Sequence, residues 1–423
     1  MHVSSFFQKT KALIRTLGPG VITGASDDDP SGIATYSQAG AMFGTQLLWT
    51  SLFASPFMIA IQEMCARIGL VTGRGITGVL RKHYHKSFLY PLAFFTVAAN
   101  TLNIAADINA MAFATHLLIP LAPWLLSLLF SALIVAFMIL MPYRILAKYL
   151  KWLTLALFCY IVMPFVVHVP WKDVVFHSIF PTMEWSKDSA MILVAILGTT
   201  ISPYLFFWQA SLEVEQKKSL ATHLLEKWVV TKKEISNMRK DVAFGMIFCC
   251  VAMWFIMLTT GITLNKNGIF NIRTAQDAAE ALRPIAGEYA YLLFTLGIIG
   301  TGLLAIPVLA GSSSYVLSEA FGWEFGFNKS FKKAWKFYAV TICSALVGVV
   351  MTLAGVDPIQ ALLYTAVVYG VISPIIIGII LHISNNPKIM DGYKNTWISN
   401  VFGGFTLVLM SCASLLFFWF SLR

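Results

Sequence analysis

Charge is what this sequence has least of. Asp, Glu, Lys and Arg make up 12% of its 423 residues, about half the share in an average soluble domain, and this excludes an ordinary water-soluble fold. No Pro, Gly or Ser-rich linker divides the chain and no low-complexity segment interrupts it, so a single domain over 1–423 is expected. Cys65, Cys159, Cys249, Cys250, Cys343 and Cys412 lie in or beside apolar runs without metal-ligand spacing. They read as small buried hydrophobes. There is no hydrolase elbow, phosphate-cradling Gly-rich loop or HExxH, so neither an enzyme nor a machine driven by bound ATP is expected.

What the chain has is hydrocarbon, with 58% hydrophobic residues and a mean hydropathy of +0.74. Runs near the ~20 residues that span a bilayer fall at 17–41, 46–70, 88–119, 123–142, 146–168, 189–215, 241–263, 287–318, 337–354, 358–382 and 397–421. An all-α membrane protein of about 11 helices follows. Lys9, Lys11 and Arg15 precede the first run and no small-residue cleavage site follows it, so the N-terminus is expected to be retained. With the N-terminus inside, the basic clusters at 74–86, 144–151, 217–240, 329–336 and 388–394 are all cytoplasmic. Only Lys172, Lys187, Lys266, Arg273, Arg283 and Arg423 fall outside, as the positive-inside rule requires. The net charge of +10 therefore needs no nucleic-acid partner. The alternating segment 216–240 is expected to lie on the inner membrane surface or to form a solvated connection.

Two spans are interrupted by polar residues and proline. The first contains "DDDPSG", with Asp27, Asp28, Asp29, Pro30, Ser31 and Gly32; the sixth contains "GTTISPYLF", with Gly198, Thr199, Thr200, Ser202 and Pro203. Proline removes an amide donor and frees carbonyls, and unwound backbone survives in a bilayer only where it lines a polar cavity or is buried. One break opening each group of five helices points to a 5+5 inverted repeat, about 17–168 and 189–382, with an extra helix at about 397–421.

A charge at the centre of a membrane helix costs about 2.5–3.5 kcal/mol. A divalent cation offsets that cost, because Asp oxygens and freed carbonyls are the hard ligands of Mg²⁺, Ca²⁺ and Mn²⁺. Asp29, next to Pro30, is expected to ligate directly, while Asp28 and Asp27 line the vestibule or hold waters. Ser202 and the carbonyl of Thr199 or Thr200 are expected to face the same point. The bland alternative is an extramembrane loop, which is disfavoured because the flanking runs are too short to span alone. Asp107 in "LNIAADINA" reads equally as a proton or cation relay or as a structural hydrogen bond. Glu63 and Arg67 read as a helix-end ion pair; Glu213 and Glu215 read first as a solvated helix end and otherwise as carboxylates that draw cations into an inner mouth. His116, His168, His177, His223 and His382 read as interfacial, with no ligand-spaced pair.

These stretches resemble the natural resistance-associated macrophage protein (Nramp) family of divalent-metal transporters, which has a LeuT-type fold. "LGPG" with "DDDPSGIATYSQAGAMFG" is similar to its broken first helix, "CARIGLVTGR" to the end of its second, "IAADINA" to its third, "LGTTISPYL" to its broken sixth and "LAGSSS" to part of its eighth. The resemblance implies that Asp29 binds metal, with the Ser26 carbonyl as a backbone ligand. It also marks departures: Gly32 stands at the metal-binding Asn position and Ser202 at the Met position. Losing the thioether weakens selection for softer transition metals and leaves room for the waters that Mg²⁺ retains, as in an Nramp-related magnesium-transporting branch. Tyr204 stands where the family has His, and a phenol with a reference pKa of about 10 is a poor proton carrier. Asp107 matches the family's third-helix Asp, but Ala110 replaces the acid one turn on. A weakly coupled or uncoupled importer of Mg²⁺ or Mn²⁺ is expected. A divalent ion crossing ~100 mV gains about 4.6 kcal/mol, roughly a thousandfold gradient.

The expected protein is a monomer in the prokaryotic inner membrane, with cytoplasmic N-terminus, external C-terminus, no cofactor and the metal ion as its substrate. The alternative is a LeuT-fold carrier of a small organic solute or anion coupled to Na⁺ or H⁺. An intramembrane enzyme using Asp28 and Asp29, or a non-transporting sensor, is a distant third.

Overall fold

The computed structural model describes residues 18–140, 158–167, 169–183, 185–220, 228–327 and 329–421. In chain order these form α1 (Pro19–Ala25), α2 (Pro30–Phe43), α3 (Trp49–Thr72), α4 (Ile76–His83), α5 (Lys86–His116), α6 (Pro123–Leu140), α7 (Phe158–Val166) and α8 (Trp171–Ile179). There follow α9 (Lys187–Thr200), α10 (Pro203–Leu220), α11 (Lys232–Thr263), α12 (Ala275–Glu280), α13 (Ala290–Phe321), α14 (Trp335–Leu353), α15 (Pro358–Asn385) and α16 (Trp397–Ser421). Among the described residues the regular structure is helical, and 9 helices are long and apolar enough to cross a membrane, with α9 and α10 forming one of them.

The helix count follows from where the chain breaks. α1 and α2 are 7 and 14 residues long, each too short to span alone, and together they make the first expected span. Of the fifth, 146–168, only α7 is described. Lys9, Lys11, Arg15, Arg144, Lys148, Lys151, Lys227, Arg423, His168, His223 and the Cys159 side chain lie outside the described residues. Both breaks restart at proline, in position N1 of α2 and as the first residue of α10. There the missing N–H is one that a helix start leaves unbonded in any case.

Small residues let the broken helices seat directly on their neighbours, as membrane helix contacts favour. A Cβ on Gly24 would meet the Gly245 carbonyl of α11, and one on Gly198 would meet the Ala366 carbonyl and the Gly370 amide of α15. Asp241 of α11 also accepts from the Gly18 and Gly20 amides at 2.9 and 2.7 Å, tying the start of α1 to that helix. The outer rim is hydrocarbon: Phe94, Phe95, Leu129 and Phe165 are exposed, which suits contact with lipid.

Two details differ from expectation, and a third is met with more partners than expected. The Glu63–Arg67 ion pair forms at 2.9 Å, inside a larger buried network. Arg67 is 1% exposed; it reaches Glu63 at 2.9 Å, the Tyr393 carbonyl at 2.5 Å and Asn395 Oδ1 at 2.5 Å, and Arg239 adds a second cation on Glu63 at 2.9 Å. A buried ion persists when its whole hydrogen-bonding capacity is met. Glu213 and Glu215 are not a solvated end, since Glu213 is buried on Gln209 at 3.0 Å and Glu215 accepts from the Phe327 amide at 3.0 Å. Cys343 and Cys412 are exposed rather than buried, because the outside of this fold is also apolar.

Candidate functional site

Asp29 is the N-cap of α2, and its geometry follows from that position. Its Oδ1 accepts from the Gly32 amide at 2.7 Å and from Ser31 Oγ at 2.6 Å, while Oδ2 accepts from Asn103 Nδ2 of α5 at 2.9 Å. The carboxylate is 1% exposed. It lies where the two breaks meet. Ser31 Oγ and Thr199 Oγ1 are 3.3 Å apart; Ser31 gives its single proton to Asp29, so Thr199 is the donor. Tyr36 OH and Thr200 Oγ1 stand 2.9 Å apart, a second tie between α2 and α9.

The remaining expected residues lie at the two breaks and on α5. Tyr204 donates its hydroxyl to the Ser26 carbonyl at 3.0 Å, so the phenol and the end of α1 share one contact. Ser202 Oγ turns back to the Gly198 carbonyl at 3.1 Å and to the Thr199 carbonyl, satisfying the freed end of α9. Gly32 brings its amide to Asp29 and no side chain. Asp107 lies one helical turn from Asn103, whose Nδ2 is 3.4 Å from its Oδ2; its Oδ1 is buried without a partner. Both Asp27 oxygens and Asp28 Oδ1 are buried without hydrogen-bond partners as well. Buried carboxylate oxygens of that kind are rare in folded proteins. Among the described residues no three His, Cys, Asp or Glu side chains are grouped to hold a metal.

Several residues here escaped sequence reasoning. Asn103 joins Asp29 to Thr365 of α15, which donates to Asn103 Oδ1 at 2.8 Å. Tyr369 donates to Asn100 at 3.0 Å and packs 5.7 Å from Tyr204. The i, i+4 spacing of Asn103 and Asp107 was a readable signal; nothing in the sequence marks Thr365 or Tyr369.

The two approaches to the breaks differ. On the α2 side, Ile33, Ile272, Phe294, Ile359 and Leu362 close around a space of about 10 Å³, about the least that admits one water. Gln38 fastens the covering segment, accepting from the Ile272 amide at 2.9 Å. Beside α4 and α10 lies a polar cavity of about 670 Å³ lined by Arg74, Arg81, Glu215, Lys218 and Glu319. Glu319 accepts from the Gly75 and Gly78 amides at 2.9 and 2.8 Å, which caps α4.

Two discontinuous helices meeting at a buried polar point define the LeuT class of transporter fold. Solved structures bear this out: a manganese transporter of Eremococcus coleocola aligns with TM-score 0.77 at 15% identity, covering 96% of this chain and 86% of that one. The nucleobase-cation-symport-1 transporter MHP1, in a closed conformation with bromovinylhydantoin bound, aligns with TM-score 0.59 at 14% identity, covering 95% and 91%.

The family model described as "Natural resistance-associated macrophage protein-like" matches residues 20–420, and the chain belongs to the Nramp family. The divalent metal cation transporter MntH of Klebsiella pneumoniae is 25% identical to it over 95% of this chain and 93% of its own length. The protein of that name from Caldanaerobacter subterraneus is 22% identical over 93% and 90%.

Proposed function

We propose that this protein is a secondary transporter that imports a divalent metal cation by alternating access around the paired breaks. The observation that carries this reading is the Asp29 carboxylate, buried at the crossing of α1–α2 with α9–α10. A buried carboxylate amid hydroxyls, carbonyls and an amide suits a hard cation. The relatives' names speak for a divalent metal, and for manganese in the Eremococcus structure. The hydroxyl of Ser202 and the bare backbone of Gly32 speak for an ion that keeps some of its water, hence Mg²⁺ beside Mn²⁺. In this reading Asp29 anchors the ion, and the Ser26 and Thr199 carbonyls with Ser202 oppose it. Asp28 lines the approach, and Asp107 and Tyr204 stand in the place of a relay.

Transport is weakly coupled or uncoupled to protons in this reading, since no histidine follows Pro203. The N-terminus is cytoplasmic and the C-terminus external, the chain works as a monomer in the prokaryotic inner membrane, and the repeats run over about 17–168 and 189–382. The test is uptake of Mg²⁺, Ca²⁺ and Mn²⁺ into proteoliposomes with internal pH recorded. Metal uptake at constant internal pH is expected. Acidification that tracks the metal overturns the coupling, and no divalent uptake overturns the function.

A further inference from the structure

We propose that Asn103 is a switchable ligand of the transported cation. Its side-chain amide faces Asp29 through nitrogen in this conformation and through oxygen when the ion is bound. The inference rests on the divalent-cation reading and adds a residue on α5 to it.

The argument starts from the two sides of one carboxamide. Nδ2 donates to Asp29 Oδ2 at 2.9 Å and reaches Asp107 Oδ2 at 3.4 Å, so a single NH₂ group bridges two carboxylates. A carboxamide nitrogen cannot ligate a metal, and its hydrogens repel one. A cation bound at Asp29 Oδ2 therefore displaces Nδ2. Turning the amide by half a rotation puts Oδ1 in its place, a hard neutral ligand of the kind that Mg²⁺ and Ca²⁺ accept. Gly32 offers no side-chain oxygen, and the Asp107 Oδ1, buried and unpartnered, is one turn away on the same helix.

The far side of the amide permits the turn. Thr365 Oγ1 lies 2.8 Å from Asn103 Oδ1 and 2.8 Å from the Leu362 carbonyl, two acceptors for one hydroxyl proton. When the proton goes to Leu362, the Thr365 oxygen accepts, and it then pairs with Nδ2 of the turned amide. Both orientations are thus satisfied at α15. At Asp29 they are not equivalent: an amide oxygen against a carboxylate is repulsive unless a cation lies between. The orientation of Asn103 therefore depends on the ion.

The test is calorimetric titration of the purified protein with MgCl₂ and with MnCl₂, using wild type, Asn103→Leu and Asp29→Ala. Asn103→Leu keeps the approximate volume without an oxygen and is expected to weaken both ions at least tenfold, while Asp29→Ala abolishes binding. Near-wild-type affinity in Asn103→Leu with binding lost in Asp29→Ala overturns the role of Asn103 and leaves the transporter reading standing. Absence of binding in wild type overturns both. Should Asn103→Leu fail to fold, a structure of wild type with Mn²⁺ decides: Asn103 Oδ1 at ligand distance from the ion supports the proposal, and an ion held by Asp29 with Asn103 out of reach overturns it.

Discussion

Tyr204 covers the Ser26 carbonyl, its hydroxyl donating across 3.0 Å from the start of α10 to the end of α1. The oxygen proposed as a backbone ligand already accepts one hydrogen bond, so an ion taking that same lone pair displaces the phenol. A neutral hydrogen bond contributes about 0.5–1.5 kcal/mol. Tyr204→Phe is accordingly expected to tighten Mg²⁺ and Mn²⁺ binding by about two- to tenfold, read as a lower calorimetric Kd. A weaker Kd in this variant would show that the phenol assists the ion instead of competing with it.

Asp29 caps α2, and on the proposed reading it also anchors the transported ion. Loss of such a cap costs about 0.5–2 kcal/mol. Asp29→Asn keeps a capping oxygen while removing the charge. Uptake should fall by at least a hundredfold in both Asp29→Asn and Asp29→Ala, with a clear drop in Tm for the alanine variant alone. Equal thermal losses in the two would mean that the cap adds nothing measurable here.

Ser202 tests ion choice. Its hydroxyl is bonded to carbonyls at the end of α9, so Ser202→Met replaces an oxygen with a thioether and releases those carbonyls. A soft ligand favours Mn²⁺ over Mg²⁺, and one added contact of about 1.4 kcal/mol is a tenfold change. Competition uptake should show the Mn²⁺ to Mg²⁺ ratio rising by about that factor. An unchanged ratio would place Ser202 outside the ion's reach.

Arg67 gives a prediction about stability alone. Its guanidinium serves Glu63, Tyr393 and Asn395 at once, a fan of donors that a lysine cannot reproduce. Arg67→Lys should lower Tm markedly, and Arg67→Ala should lower it further, because Glu63 is left with Arg239 alone and the Tyr393 carbonyl and Asn395 Oδ1 lose the Arg67 donor. Thermal melts in detergent, with and without Mg²⁺, would check both.

Gly24 tests the seat of α1. A methyl there overlaps the Gly245 carbonyl, and overpacking of this kind costs about 1–3 kcal/mol. Gly24→Ala should yield less folded protein by size-exclusion chromatography, and Gly245→Ala should behave alike.

The broken helices were legible because proline and a cluster of polar residues are conspicuous within hydrocarbon. "DDDPSG" and "TTISPY" announce themselves, and the eleven apolar runs follow from bilayer thickness. What stayed hidden is pairing across helices. The spacing of Glu63 and Arg67 suggested an ion pair, yet Arg239 and Tyr393 reach it from 176 and 326 residues away, and no local pattern encodes that. Asn103 shows in the sequence only its i, i+4 spacing to Asp107. Its importance appears only when α5 is placed against the end of α1 and Thr365 against both. Ser202 and Tyr204 were visible as unusual residues at a break, while the carbonyls they engage depend on how that break unwinds.

The narrow hydrocarbon space above Pro30 has an electrical consequence. Ile33, Ile272, Phe294, Ile359 and Leu362 form a constriction that excludes bulk water, the kind of barrier that blocks conduction by dewetting. In the proposed orientation this plug faces the outside while the polar cavity beside α4 reaches the cytoplasm. The plug includes Pro30, the residue next to Asp29, so it stands between that carboxylate and the proposed outer side. On the proposed reading, a cation released from that carboxylate would move inward with the field, and the dry plug leaves small ions outside no wire through which to leak.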